Sequence, residues 1–359
     1  MPRRPTLQDV ADACGVSRAT ASLVLAGRQA RISGSTTARV RAAAADLGYR
    51  PNRLAHSLAS ARTQTLALVT DALASDPFTG RFVQAATTAA RDRGHLLFVA
   101  ETGGDEAVEQ EVLRRLLDQG VDGYVLAPAQ RREIRVPPDL AGERVVLLNA
   151  TPAPAEAAEP GQPRSGAADA PTPPTAVAAV VPDDAQAGRL VARALLEAGH
   201  TTGIRLVGET VPGGPGGLER RDALRAELAA HGWALHGHDE VPWWPGPVRD
   251  ALEPVLGDPH GPTAVVALND RAALGVYEAA ARRRLDVPRD LSVVSFDDSF
   301  LARWLDPVLA SAALPYEAMG TLAVELLLDA RASPGPTGTT RVPFTLADAG
   351  SLGPPPSVP

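Results

Sequence analysis

The side chains with the clearest chemical use are Asn149, Asp183, Arg220, Asn269 and Asp297, several of them directly behind short apolar runs, with Phe78 as an aromatic companion. A guanidinium offers a fixed fork of donors, a carboxylate accepts from hydroxyls, and an amide does both. Converging on one cleft, these groups suit a small hydroxyl-rich molecule. Singly, each is also what a helix cap or a solvated surface uses, and Phe78 serves equally as a stacking platform or a core residue. Groups for catalysis are not arranged in any matching pattern: there is no nucleophile elbow and no histidine pair spaced along a helix. Cys14 is the single cysteine, which excludes a disulfide framework and a cysteine zinc site. His236 and His238, beside Asp239, read as a solvated loop rather than a metal site. The expectation is a binding protein rather than an enzyme, with no metal and no cofactor.

The elements that would position these groups alternate. Apolar runs at 66–69, 96–100, 123–126 and 145–148 read as strands, with helical stretches at 79–93 and 106–119. A second series is expected to begin at 178–181 and continue through 203–207, 264–268 and 291–296. Such alternation predicts parallel sheets covered by helices, and two similar halves imply a cleft between them. Ligands of parallel sheets bind beyond the carboxyl ends of the strands, where several of the residues above fall. Seven prolines within 151–175 mark a surface insertion with little to pack. The run Gly213-Gly-Pro-Gly-Gly217 reads as a flexible loop and lacks the Lys-Ser or Lys-Thr of a phosphate loop. The proline-rich chain after Ser351 is expected to be loose.

The first sixty residues differ in kind. The net charge of −7 conceals ten Arg against three Asp in residues 1–62, a balance of +7, which leaves −14 on the rest. A basic head on an acidic body is the footprint of a nucleic-acid reader. Thr6 and Asp9 form a capping-box pattern, and Leu7, Val10, Ala11 and Cys14 share one face of a short helix that Gly15 ends. Cys14 is expected to be a small buried hydrophobe. Ser17 caps an eight-residue second helix with Ala21, Val24 and Leu25 inward and Arg18, Ala19, Ser22 and Leu23 outward. Ser33 and Thr36 start a third helix whose Val40, Ala44 and Leu47 complete a small core before Gly48. Two short helices joined by a glycine turn form a helix-turn-helix, which lays the start of its second helix along base edges in the major groove.

The run Thr6-Leu-Gln-Asp-Val-Ala-Asp-Ala-Cys-Gly-Val-Ser-Arg-Ala-Thr-Ala-Ser-Leu-Val-Leu-Ala-Gly27, followed by Gly48-Tyr-Arg-Pro-Asn52, resembles the head of the lactose-repressor (LacI/GalR) regulators. Glu197-Ala-Gly-His200, Asn269-Asp-Arg-Ala-Ala-Leu-Gly275, Val287-Pro-Arg-Asp-Leu-Ser-Val-Val-Ser-Phe-Asp-Asp298 and Leu314-Pro-Tyr-Glu-Ala-Met-Gly320 extend the resemblance over nearly the whole chain. It implies an all-α helix-turn-helix head at 1–50 and a hinge helix with linker at 51–63. Behind them, residues 64–345 would form a ligand-binding and dimerisation body of two Rossmann-like subdomains, like the periplasmic sugar-binding proteins, followed by a tail at 346–359. Chain crossovers are expected near 182–186, 299–312 and 332–341.

The resemblance also implies roles. Arg18, Ala19 and Leu23 would face bases, while Ser17, Thr20, Ser22, Ser33 and Thr36 meet phosphates, with Asn52 and Arg53 beside the backbone. Leu58, on hinge helices paired between two subunits, would wedge into the minor groove and kink the duplex. The chain departs from the family at Leu23, often Arg, and Ala26, often Asn, so Arg18 is left as the main polar reader, of guanine O6 and N7. Asn149, Arg220, Asn269 and Asp297 match family cleft positions most directly. The implied partners are double-stranded operator DNA, a small-molecule effector, carbohydrate ahead of nucleobase or nucleoside, and a second copy in a homodimer. No apolar signal region follows the charged start and no run approaches about 18 apolar residues, so a cytoplasmic, nucleoid-associated repressor without membrane contact is expected. The competing reading is a sugar-binding protein of a transport or sensing system, which fits the body and leaves the basic head unexplained.

Overall fold

Thr6 opens the first helix because it settles two backbone donors at once. Its Oγ1 accepts the Asp9 N–H at 3.3 Å, while Asp9 Oδ2 accepts the Thr6 N–H at 2.7 Å. The computed structural model describes residues 5–25, 32–49, 63–73, 79–153, 177–210, 214–258, 260–329, 337–347 and 349–356. Ala26, the hinge residues Asn52, Arg53 and Leu58, Phe78, and the insertion from 154 onward lie outside them. The chain forms two units, 1–63 and 64–359.

In the first unit, α1 (Leu7–Cys14) ends at Gly15, whose φ of +60° is the left-handed conformation that glycine adopts without steric cost. α2 (Arg18–Leu25) and α3 (Gly34–Asp46) follow, and Ser33 caps α3 by accepting the Thr36 N–H at 3.2 Å. Val10, Ala11, Ala21, Val24, Val40 and Ala44 are the buried core. Leu47 does not join it: it falls on the cap beyond α3 and is 39% exposed, and Tyr49 packs against the core instead. Cys14 is half-buried at the core's edge, its Sγ 2.7 Å from the Val10 carbonyl.

The body begins with β1 (Thr65–Thr70), α4 (Thr79–Asp92), β2 (Leu96–Glu101), α5 (Glu106–Asp118) and β3 (Tyr124–Leu126). β4 (Arg132–Ile134), β5 (Val145–Leu148), β6 (Ala150–Pro152) and β7 (Ala178–Pro182) follow. The second lobe runs through α6 (Asp184–Glu197), β8 (Ile204–Val207), α7 (Pro215–Ala230), β9 (Gly237–Asp239), α8 (Pro245–Val255), β10 (Ala264–Ala267), α9 (Asp270–Arg283), β11 (Ser292–Asp297), α10 (Phe300–Trp304) and β12 (Ala310–Ala313). α11 (Tyr316–Asp329) and β13 (Gly338–Val342) return to the first lobe, and β14 (Thr345–Leu346) to the second. The sheet orders are β13-β7-β5-β3-β1-β2, wholly parallel, and β14-β12-β11-β10-β8-β9, parallel except for β14. β4 and β6 form a separate parallel pair, so Thr151 and Pro152 belong to a strand rather than to the insertion.

Three expectations are corrected. β7 pairs with β5, so it closes the first series rather than opening the second. In parallel sheets covered on both faces, strands are continuous apolar runs, and nothing in such a run says which sheet it joins. The first crossing is at 182–183, inside the expected 182–186, but the second is at 314–315 rather than 299–312 and the third at 343–344 rather than 332–341. β12, with the unpromising sequence Ala-Ser-Ala-Ala, holds to β11, and β13 holds to β7, which pushes both crossings further along the chain.

The tail is also tied down through Gly353. Ser351 is fully buried: its Oγ donates to Val293 O at 2.6 Å and accepts the Ala310 N–H at 2.7 Å. Two residues on, Gly353 O lies 3.0 Å from both His200 Nε2 and Ser292 Oγ, and burial pushes the His200 pKa down. Among the described residues no helix is long and apolar enough to cross a membrane. Ser351→Ala strips a partner from the buried Ala310 N–H, so urea unfolding is expected to show a loss of about 1–3 kcal/mol. A loss below about 0.5 kcal/mol would show that the tail does not anchor the second sheet.

Candidate functional site

Between the two lobes, at the carboxyl ends of their strands, lies a cavity of about 120 Å³. Asn149, Arg220, Asn269 and Asp297 all line it. Asp183 does not. Its carboxylate turns back to cap α6, accepting the Gln186 N–H at 2.9 Å, and the next residue, Asp184, faces the cavity in its place. Phe82 on α4 also lines the cavity.

Local geometry explains how these groups come to point inward. Asn149 leaves β5 with φ +58°, a conformation Asn tolerates better than most residues, and its Nδ2 donates to Pro128 O at 3.0 Å and Ala129 O at 3.1 Å. Asn269 caps α9, its Oδ1 accepting the Ala272 N–H at 2.8 Å, so capping and lining coexist in one side chain. Asp297 ends β11 at φ +106°, a strained conformation that only the surrounding packing can enforce. Gly216 and Gly217, expected in a loose loop, are the first turn of α7 and form part of the wall.

Arg220 sits at the centre. Its Nε donates to Asp184 Oδ1 at 2.7 Å, and its Nη1 donates to Leu268 O at 3.1 Å and lies 3.5 Å from Asp297 Oδ1. The guanidinium lies 4.9 Å from the Phe296 ring centre and 5.3 Å from that of Phe344. Burial pushes the Asp297 pKa up to about 7; Arg220 opposes the rise and the neighbouring Asp270 adds to it. Asp270 itself accepts from Ser295 Oγ, from Ser311 Oγ at 2.7 Å and from the Ser299 N–H at 2.7 Å.

Arg131, Trp243 and Tyr316 also stand in the wall, without a sequence pattern that singles them out. Arg131, from the first lobe, donates through Nη1 to Asp184 Oδ2 at 2.6 Å and through Nη2 to Glu219 Oε1 at 2.9 Å. Arg341, also of the first lobe, donates to the same Glu219 at 2.7 Å. Burial raises the pKa of Glu219, but the two arginines outweigh it and hold the group below the usual carboxylate range. Glu219 on α7 is thus a clasp between lobes. No local pattern marks Arg131; the aromatic residues, 4% of the chain, were the available signal for Trp243 and Tyr316.

On the head, Arg18, Ala19, Ser22 and Leu23 are exposed on α2, opposite the buried Ala21 and Val24. The exposed Ser17 hydroxyl accepts the Thr20 N–H at 3.1 Å and lies 2.8 Å from Thr20 Oγ1. Ser33 Oγ and Thr36 Oγ1 are 2.9 Å apart. Both pairs stand at helix N-termini, where backbone dipoles favour anions. Among the described residues no cluster of three or more metal-ligating side chains occurs.

Residues 6–52 match the lacI family of bacterial regulatory proteins, and residues 192–352 match the periplasmic binding protein-like domain. The HTH-type transcriptional regulator CelR of Thermobifida fusca is 32% identical over 339 residues, 91% of this chain and 92% of CelR. The ribose operon repressor of Escherichia coli (strain K12) is 29% identical over 329 residues, 90% of this chain and 92% of that protein. Among solved structures, a complex of the transcriptional regulator CelR with cellobiose is 27% identical, with a TM-score of 0.62 over 97% of this chain and 100% of that one. The lac repressor dimer bound to operator and the anti-inducer ONPF has a TM-score of 0.74 at 22% identity, over 98% of this chain and 100% of that one, a likeness of fold. Head and body together define a DNA-binding transcriptional regulator with a two-lobed small-molecule-binding body. The chain belongs to the LacI family of bacterial regulatory proteins.

The raised pKa of Asp297 has a sign. The folded protein holds this proton more tightly than the unfolded chain, so the stability it contributes is present below the unfolded pKa near 4 and is lost as pH rises through about 7. Urea unfolding of Asp297→Asn and the parent, from about pH 5 to about pH 8, is expected to show the variant gaining relative stability with rising pH. A difference that stays flat across that window would refute the burial of a titrating carboxyl here.

Proposed function

We propose that the protein is a repressor that binds a pseudo-palindromic operator as a homodimer and changes its operator affinity when a carbohydrate occupies the interlobe cavity. The observation that carries this reading is one chain holding both an exposed α2 headed by Arg18 and a cavity lined by Asn149, Arg220, Asn269 and Asp297. Arg18 reads guanine; Ala19 and Leu23 give apolar contact, suited to a thymine methyl. Ser17, Thr20, Ser22, Ser33 and Thr36 meet phosphates and set the register. Asn52, Arg53 and Leu58, in the 51–63 hinge, take the backbone and minor-groove roles, and the hinge transmits the state of the body.

In the cavity Arg220 donates to ligand hydroxyls and Asp297 accepts from them, while Asn149 and Asn269 do either. CelR, the relative solved with cellobiose, supports a carbohydrate. A homodimer is supported by the dimeric lac repressor neighbour and by β2, a sheet-edge strand that leaves Leu96, Phe98 and Val99 exposed. Cavity occupancy shifts the balance between lobe arrangements held by the Glu219 clasp, with a coupling of about 1–3 kcal/mol.

The experiment is selection of genomic fragments by the purified protein, then gel-shift titration with and without ribose and cellobiose. Arg18→Ala is expected to lower selective binding about 5- to 150-fold relative to random duplex. Arg220→Ala is expected to bind operator but lose the response to sugar. Failure to prefer any genomic fragment over random duplex would reject the reading.

A further inference from the structure

One buried carboxylate stands next to the cavity without lining it. Asp270 is the first residue of α9, fully buried between Asn269 and Arg271, and both of those neighbours line the cavity. Its own carboxylate is taken by three donors. Ser295 Oγ and Ser311 Oγ donate to Oδ1, the second at 2.7 Å, and the Ser299 N–H donates to Oδ2 at 2.7 Å. Ser295 and Ser311 are register partners on β11 and β12, so their hydroxyls leave the sheet on one face and converge on the same oxygen.

These donors bracket Asp297. Ser295 lies two residues before it and Ser299 two residues after, while Ser311 Oγ also accepts the Asp298 N–H at 2.8 Å. Between them the backbone turns through φ +106° at Asp297 and +45° at Asp298, two successive left-handed residues without a glycine. Such a turn persists only where its surroundings over-determine it. It also faces two ways. Asp297 Oδ1 lies 3.5 Å from Arg220 Nη1 in the cavity, and Asp298 O accepts from Nη1 of Arg81 at 3.2 Å, a residue of α4 in the first lobe whose Nε donates to Glu317 at 2.8 Å.

We propose that Asp270 is the positioning residue of the effector site: through Ser295, Ser299 and Ser311 it holds the turn at Asp297 and Asp298, setting one carboxyl toward Arg220 and one carbonyl against the first lobe. This rests on the cavity being the effector site. The charged groups facing Asp297 are Arg220 on α7, Asp270 and Arg271 on α9, and Asp184 on α6; the arginines draw its pKa down, and Asp270 and Asp184 push it up. Asp270 therefore acts on Asp297 through its charge as well as through the turn.

The test uses the full-length protein and urea unfolding from about pH 5 to about pH 8 for the parent, Asp297→Asn, Asp270→Asn and the double variant. An asparagine at 270 can keep its carbonyl on the Ser299 N–H and turn its amide to the two hydroxyls, each able to accept, so the fold is expected to persist. In the parent background the stability difference made by Asp297→Asn changes around pH 7. With the charge at 270 removed, Asp297 releases its proton more easily, and that midpoint is expected to move about one pH unit lower. A merely structural Asp270 would lower stability evenly across the range; a midpoint left in place would overturn the proposal. Calorimetry with ribose and cellobiose reads the turn itself. Ser311→Ala keeps the Asp270 charge and cuts the tie to Asp298, so it is expected to weaken the sugar that the parent binds about three- to tenfold, with no further loss when combined with Asp297→Asn. Equal losses in the two backgrounds would overturn positioning through Asp297. If the parent binds neither sugar, the carbohydrate reading falls, and the pH midpoint still decides whether Asp270 positions Asp297.

Discussion

A guanidinium taken out of water persists only if carboxylates and carbonyls accompany it, and in this protein that constraint falls on Arg220. Asp184 meets it from the first residue of α6, just past the first crossing between lobes, and Leu268 O and Asp297 meet it from behind β10 and the end of β11. Phe344, in the third crossing, covers it. One side chain therefore gathers two interlobe connections and two strand ends. Gly188 makes the approach possible, since a Cβ there would come within 2.2 Å of Arg220 O where α6 and α7 meet. Removing one member of such a group strands the others, at about 3–5 kcal/mol for a broken buried pair.

The same arrangement decides what the cavity can receive. Arg131 and Arg220 share Asp184, and Glu219 completes the balance of charge. A neutral molecule with many hydroxyls can join such a network by exchanging hydrogen bonds without adding a buried charge. The Glu219 clasp adds a conformational term. Two arginines of the first lobe hold one carboxylate of the second, so closure has its own favourable contribution and a ligand needs only to shift an existing balance.

Much of this was legible in the sequence, for identifiable reasons. The head is specified by neighbours in the chain: Thr6 with Asp9, Gly15, Ser33 with Thr36 all act within four residues. The strand-end rule and the family resemblance brought Asn149, Arg220, Asn269 and Asp297 to one cavity. Asp183 and Asp184 are adjacent carboxylates, and only the turn geometry decides which caps α6 and which faces inward. Arg131 and Trp243 act across lobes or across a turn, where spacing carries no information. β7 falls in the other series because sheet membership is a tertiary fact, β12 has no apolar run to announce it, and Leu47 lies outside the core because α3 ends one residue earlier than its apolar pattern.

Ligand in the cavity and operator on the head bias one equilibrium in this reading, and linkage makes that measurable from either side. The direct measurement is saccharide affinity by calorimetry for free protein and for protein saturated with its operator, alongside operator affinity with and without that saccharide. The two ratios are expected to agree, at about 5- to 150-fold. Equal saccharide affinity for the free and the operator-bound protein would contradict it.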